Sequence, residues 1–331
     1  MRPVWWVVSA LLVGAAVVIA FTRRHELVAA LRLIEHVHLP RALLAVALEG
    51  ASLACLAAVV QWLLRAGGTR LRLSTAGATV LGANAVAGAL PGGAAFAVAW
   101  MFRQFRRRGV GQALAGSVLA VSGLMSGAAL FVLLLAGVLV SGSTGPGAGL
   151  RPVLVGLAVF AVAAAAVAYG LSRFRWIRHH VRRLWRRTGL RSTRLWDLEQ
   201  ALGRLGSEVR ATRPGVLPWL RPVGFALLNW LLDMACLVAC MWSLDVAVPW
   251  YGLLAAYALT QVAGSLRLTP GGLGVVETSL AALLSLYGLG TDQAIAVTLL
   301  YRLMNYWMLQ PVGWACFLGL AVGRGRQAPS E

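Results

Sequence analysis

The sequence contains no lysine, and only 12% of its 331 residues are charged. A soluble globular domain carries about 25% charged residues, so roughly half of the usual polar coat is missing. Acids are scarcer than bases: eleven Asp and Glu stand against thirty arginines, giving a net charge of +19. Only four cysteines occur, Cys55, Cys236, Cys240 and Cys316, each inside an apolar run. Cys236 and Cys240 lie four apart, but no further Cys or His completes a metal site, so they read as small core residues. The five histidines lie in polar stretches. A metal site built from His25, Glu26, Glu35 and His36 fits them less well than a role as interfacial polar residues. The phosphate-binding pattern Gly-x-x-x-x-Gly-Lys-Ser/Thr is absent, which removes the usual nucleotide-driven pump. Neither a nucleophile–base set nor a metal cluster is apparent, so a non-enzymatic protein without a cofactor is expected.

What the sequence has instead is apolar: 59% of residues are hydrophobic, with a mean hydropathy of +0.75. The apolar residues come in long runs, the mark of a polytopic membrane protein rather than of a large soluble core. Full-length stretches run over 3–22, 42–64, 112–140, 153–172, 222–243 and 293–322, each enough for a bilayer core of about 30 Å. No convincing cleavage site follows the first, so it reads as a retained helix rather than a removed signal peptide. Two further stretches are interrupted, 75–101 by Pro91-Gly92-Gly93 and 251–289 by Pro270-Gly271-Gly272 and Gly274. Proline removes a helical donor and glycine weakens the helix, so each stretch should split into two half-length helices.

Arginine placement orients these spans. Arg65, Arg70 and Arg72 precede the first broken stretch, and Arg103, Arg106, Arg107 and Arg108 follow it. Both of its ends are therefore expected at the cytoplasmic face, making 75–101 a re-entrant hairpin. Segment 173–221 carries thirteen arginines and belongs on the same side, as do both termini. Segment 23–41, with four arginines among His, Glu and Leu, falls outside and suits an interfacial helix.

The two broken stretches resemble each other. Val86-Ala87-Gly88-Ala89-Leu90-Pro91-Gly92-Gly93 parallels Val262-Ala263-Gly264-Ser265-Leu266 followed by Pro270-Gly271-Gly272, and Gln112-Ala113-Leu114-Ala115 parallels Gln293-Ala294-Ile295-Ala296. The expected organisation is a single membrane domain in five parts. A first helix and outer segment fill 1–41, and a first repeat fills 42–140 with its hairpin at 75–101. A linking helix covers 153–172 and a basic cytoplasmic segment 173–221. A second repeat over 222–322 carries its hairpin at 251–289. The two units start on opposite sides, so the repeat is inverted and its hairpins enter from opposite faces, as in transporters whose broken helices line a polar path.

Ionisable residues within the spans are Glu49, Asp233, Arg267, Glu277 and Arg302. Each costs about 2.5–3.5 kcal/mol at a helix centre on insertion scales, so each needs a pair or a task. Arg267 and Glu277 flank the second tip, and Arg302 lies mid-helix. A Glu277–Arg302 pair that only locks helices together and a pair that also handles a ligand fit the sequence equally. Asn229 and Asp233 share a helix face, and Asn84 is a polar residue of the first hairpin that fits a helix-packing role equally well. Segment 173–194 holds nine arginines with Trp176 and Trp185 and no acid. Beside a span, such a cluster binds anionic inner-leaflet lipid, at about 1 kcal/mol per charge, rather than nucleic acid. Residues 196–213 have amphipathic spacing for the same surface.

With these residues in view, the chain resembles the lysylphosphatidylglycerol synthase transmembrane family, also called flippase-like. The resemblance rests on Leu268-Thr269-Pro270-Gly271-Gly272-Leu273-Gly274-Val275-Val276-Glu277 and Leu299-Leu300-Tyr301-Arg302-Leu303. Asp233, Asn84 and Leu90-Pro91 match further family positions. The first tip departs from the family by continuing Ala94-Ala95-Phe96-Ala97, where polar or charged residues are usual. The family's separate synthase domain has no counterpart in the 49 residues of 173–221, so a stand-alone form is expected. The resemblance implies a lipid flippase of the bacterial inner membrane, moving an anionic or amino-acylated phospholipid or a polyprenyl-phosphate lipid between leaflets. Arg302 and Arg267 would hold phosphate, Glu277 and Asp233 would balance charge, bind a cationic head group or carry a proton, and Asn84 would add a polar contact. The backbone of Pro270, Gly271, Gly272 and Gly274 would approach the head group. A non-transporting scaffold that presents lipid to a separate glycosyltransferase is the alternative. The sequence leaves open the lipid, the coupling and whether the protein is a homo-oligomer.

Overall fold

A computed structural model describes residues 37–89, 92–140, 217–265 and 269–322, with 152 and 156 as isolated positions. The expected helices 3–22 and 153–172, the basic stretch 173–216, and Leu90, Pro91 and Arg267 lie outside the described residues. Among the described residues the structure is helical, with no strand.

Among the described residues, three helices are long and apolar enough to cross a membrane: α1 (Leu39–Ala66), α4 (Gln112–Val140) and α5 (Leu217–Ser243). Pro40 opens α1, where its missing N–H costs nothing. At the other end the Gly67 N–H returns to the Leu63 carbonyl at 3.1 Å. Helix α5 begins earlier than its apolar run suggests and keeps Pro222 inside it.

The two interrupted stretches do split. Helices α2 (Leu73–Ala89) and α3 (Gly93–Arg107) meet at the first Pro-Gly-Gly. Helix α6 (Trp250–Ser265) and α7 (Val275–Leu286) flank a tight turn at Pro270–Gly272.

The last apolar stretch differs from the expected uninterrupted helix. It runs as α8 (Thr291–Arg302), a wide π-helical turn over Leu303–Trp307, and α9 (Leu309–Val322). The Met308 N–H reaches the Leu303 carbonyl, five residues back, at 2.9 Å. Pro311 supplies the reason. It cannot donate to the Trp307 carbonyl and its ring crowds that oxygen, so the ladder opens just upstream.

Helices α1 and α5 pack antiparallel along most of their length. At one end the His38 N–H donates to the Ser243 carbonyl at 2.9 Å. In the middle the Asn229 amide donates to Ser52 Oγ at 2.6 Å. At the far end Trp62 and Trp219 meet at 5.3 Å. Around this pair, α2 packs on α9 and α6 packs on α4. Both contacts bring backbones close at a glycine. A Cβ at Gly313 would sit 2.6 Å from the Leu81 carbonyl, and one at Gly137 would sit 2.9 Å from the Ala255 nitrogen. Small residues permit this approach where dispersion rather than water exclusion holds helices together.

Candidate functional site

The backbone plan sets depth first. Glu49 lies ten residues into α1, counted from Leu39, and Asp233 lies ten residues before the end of α5 at Ser243. At 1.5 Å per residue both carboxyls stand about 15 Å from that end, half of a bilayer core.

The second tip is assembled from glycine. Gly271 adopts φ +61° and Gly274 φ +82°, left-handed conformations that glycine takes without steric cost. The chain thereby reverses within Pro270–Gly274 and starts α7 with Glu277 in its first turn. There the Glu277 Oε2 accepts the Gly274 N–H at 2.7 Å, capping the helix. The other oxygen, Oε1, accepts from Arg302 Nε at 2.6 Å. Arg302 also donates through Nη2 to the Gly271 carbonyl at 2.8 Å and lies over the Tyr306 ring, its Cζ 4.5 Å from the centroid. The pair is well buried, its side chains keeping 6% and 20% of their surface. A guanidinium carries five N–H donors, so these contacts leave further donors for a planar, bidentate anion such as phosphate.

Asp233 is held differently. Tyr257 OH and Gln261 Nε2 donate to its Oδ2 at 2.7 and 2.8 Å. Tyr301 OH and Asn305 Nδ2 donate to its Oδ1, each at 2.8 Å. Four donors from α6, α8 and the π turn fix a carboxylate that is 5% exposed. Glu49, 4% exposed, adjoins it side chain to side chain. A cavity of about 390 Å³ opens between these groups, lined among others by Glu49, Asn84, Asp233, Gln261, Arg302 and Asn305.

The sequence of the chain matches that of a known family over nearly this whole assembly. The profile of the lysylphosphatidylglycerol synthase transmembrane region matches residues 6–313. The chain belongs to that family. A membrane protein of Methanothermobacter thermautotrophicus, designated a UPF0104 membrane protein, is 24% identical over 182 residues, covering 51% of this chain and 54% of that protein. The chain thus matches about half the length of this relative. Membership and the helices together make it a multi-pass membrane protein.

The residues that carry the family resemblance converge. Glu277, Arg302, Gly271 and Gly274 meet at one tip, and Asn84 and Asp233 line the same cavity as Arg302. Pro270 and Gly272 shape the turn. Sequence reasoning placed Glu49 among the intramembrane charges but not in the site, and it missed Tyr257, Gln261, Asn305 and Tyr306. A signal existed for most of them. Tyr257 and Gln261 stand four apart, and Asn305 and Tyr306 follow Arg302 by three and four, the spacings that share a helix face.

Proposed function

We propose that this protein is a lipid translocase, passing the phosphate-bearing head group of a phospholipid or polyprenyl-phosphate lipid between leaflets through the mid-depth cavity. The observation that carries this reading is Arg302. It is a buried cation, half-way along an apolar assembly, at the wall of a polar cavity of about 390 Å³. A helix-locking charge needs no cavity beside it. A phosphate passing through a low-dielectric interior needs a charge-assisted donor, and Arg302 exchanges Glu277 for it as the head group arrives.

The packing supports an inverted repeat of helix, hairpin and helix. The two helices that open the halves, α1 and α5, lie antiparallel, and each hairpin's first arm packs on the last helix of the other half. In this reading the hairpins are re-entrant, and their proline-glycine tips line the path from opposite faces. The termini and the arginine-rich 173–221 lie at the cytoplasmic face of the inner membrane, where the basic segment holds anionic lipid. The protein performs no covalent chemistry and uses no cofactor.

The test is leaflet exchange of fluorescent phosphatidylglycerol in proteoliposomes, read by dithionite quenching of the outer leaflet. Wild type is expected to expose the inner-leaflet probe, and Arg302→Ala to slow this by about tenfold or more, the loss of one charged hydrogen-bonding partner. Equal exchange by wild type and Arg302→Ala would remove the site. A wild type that moves no lipid would replace the translocase by a scaffold that presents lipid to a separate enzyme.

A further inference from the structure

We propose that Glu49 and Asp233 form a one-proton site in the cavity wall, and that this proton travels with the anionic lipid. The coupling half of the proposal rests on the translocase reading; the proton site does not.

Two carboxyl groups from different helices, α1 and α5, lie against each other, and both are more than nine-tenths buried. Their hydrogen bonding is unequal. Asp233 receives four donors, whereas Glu49 Oε2 is buried and has no partner among the described residues. Four donors are the environment of a carboxylate, whereas the Glu49 side chain, which adjoins Asp233 and Asn305, keeps one buried oxygen with no donor, the environment of a hydroxyl. Two ionised carboxylates buried on the wall of one cavity repel strongly, and a shared proton removes that repulsion.

Other charges do not take over the task. The cation of the cavity among the described residues, Arg302, is bonded to Glu277. Among the described residues, the remaining titratable groups facing the pair are Tyr257 from α6, Tyr301 from α8, and Cys236 and Cys240 further along α5. All four are neutral when protonated, so none offers a counter-charge.

The position of the pair gives the coupling its direction. With one proton the pair carries a single negative charge, stabilised by its four donors. When Glu49 releases the proton to solvent in the cavity, a second negative charge appears on the wall that a phosphate must pass. The step breaks one O–H bond on Glu49 and re-forms one on the accepting water, with no other reactant. An anionic head group therefore binds better to the protonated pair, and by linkage the proton binds better when the head group is present. Lipid and proton then cross in the same direction.

Two measurements on the full chain test this. Infrared spectroscopy of the protein in nanodiscs at neutral pH should show a protonated carboxyl band that shifts in heavy water and disappears in Glu49→Gln. In proteoliposomes carrying fluorescent phosphatidylglycerol, a pH gradient should bias the leaflet distribution by up to about tenfold per pH unit for one coupled proton. Glu49→Gln and Asp233→Asn should each remove the bias. If wild type shows no protonated carboxyl band, the site is refuted whatever the transport result, and this reading requires no variant to fold. A band with no gradient response refutes the coupling alone. If the wild type moves no lipid, the translocase reading fails while the band still decides the proton site.

Discussion

The two hairpins share a backbone plan and differ in chemistry. Each breaks at Pro-Gly-Gly, and each tip has a glycine at almost the same left-handed angle, φ +65° at Gly92 and +61° at Gly271. Around the second tip stand Glu277, Arg302 and Tyr306. The first is followed by Ala94-Ala95-Phe96-Ala97, and its first arm lends the cavity Asn84, Ala85 and Gly88. The glycine-bearing break recurs, and the buried charges gather at the second of the two. The first half keeps a single acid near the cavity, Glu49, and that acid leans on the second half's Asp233.

The largest effect expected from this asymmetry comes from unpairing the charges. Arg302→Ala leaves Glu277 without its cation in a mostly buried setting. The loss of stability should be about 3 kcal/mol, the low end for a buried pair because Glu277 keeps 20% of its side chain exposed. Replacing both residues by methionine should restore much of the thermal stability, since no orphan charge remains. It should not restore lipid exchange. Unfolding temperature and exchange rate, measured on the same nanodisc and liposome preparations, separate a helix-locking pair from a ligand site. Recovery of both by the double variant would return the pair to a purely structural role.

The tips themselves give a sharper and smaller contrast. Alanine at Gly92 meets open space, with nothing within 4 Å of its Cβ, and bears only the left-handed backbone, about 1–2 kcal/mol. Alanine at Gly271 bears the same strain and also collides with the Tyr306 ring and hydroxyl. Tyr306 cannot yield freely, because its hydroxyl donates to the Gly88 carbonyl of α2 at 2.9 Å. Gly271→Ala should therefore destabilise by about 1–3 kcal/mol more than Gly92→Ala, the usual range for overpacking. Equal unfolding temperatures for the two variants would mean that the tips are equivalent and that Tyr306 is no strut between the halves.

Much of this was legible because both devices leave local marks. A proline followed by two glycines cannot continue a helix, so the breaks at 91–93 and 270–272 could be located from residue type alone. Charges such as Arg302 and Asp233 stand out where everything around them is apolar. The four donors on Asp233 were not legible in the same way. Tyr, Gln and Asn are ordinary on a helix, and their convergence from α6, α8 and the π turn depends on packing between segments up to 72 residues apart. The wide turn at Leu303–Trp307 was also hidden. Its cause, Pro311, lies downstream in a run that reads as one uninterrupted span.

The smallest expected effect lies where the two halves meet at the surface. Asp245, between α5 and α6, accepts from Arg41 Nη1 at 2.5 Å and faces His38 Nε2 at 2.6 Å. These hydrogen bonds, Arg41 first, hold the carboxyl below its ordinary range although the group is exposed. A carboxyl whose folded value is depressed stabilises the fold above its unfolded value, near 3.9, and loses that contribution as pH falls through the lower folded value. Asp245→Asn should therefore lower the unfolding temperature slightly at neutral pH, and the gap from wild type should close as pH drops below about 4. Salt should shrink it too, since exposed pairs are screened. A gap as large as that of Arg302→Ala, or one that persists in acid and high salt, would mean that the halves are clasped at this rim rather than through the buried charges of the cavity.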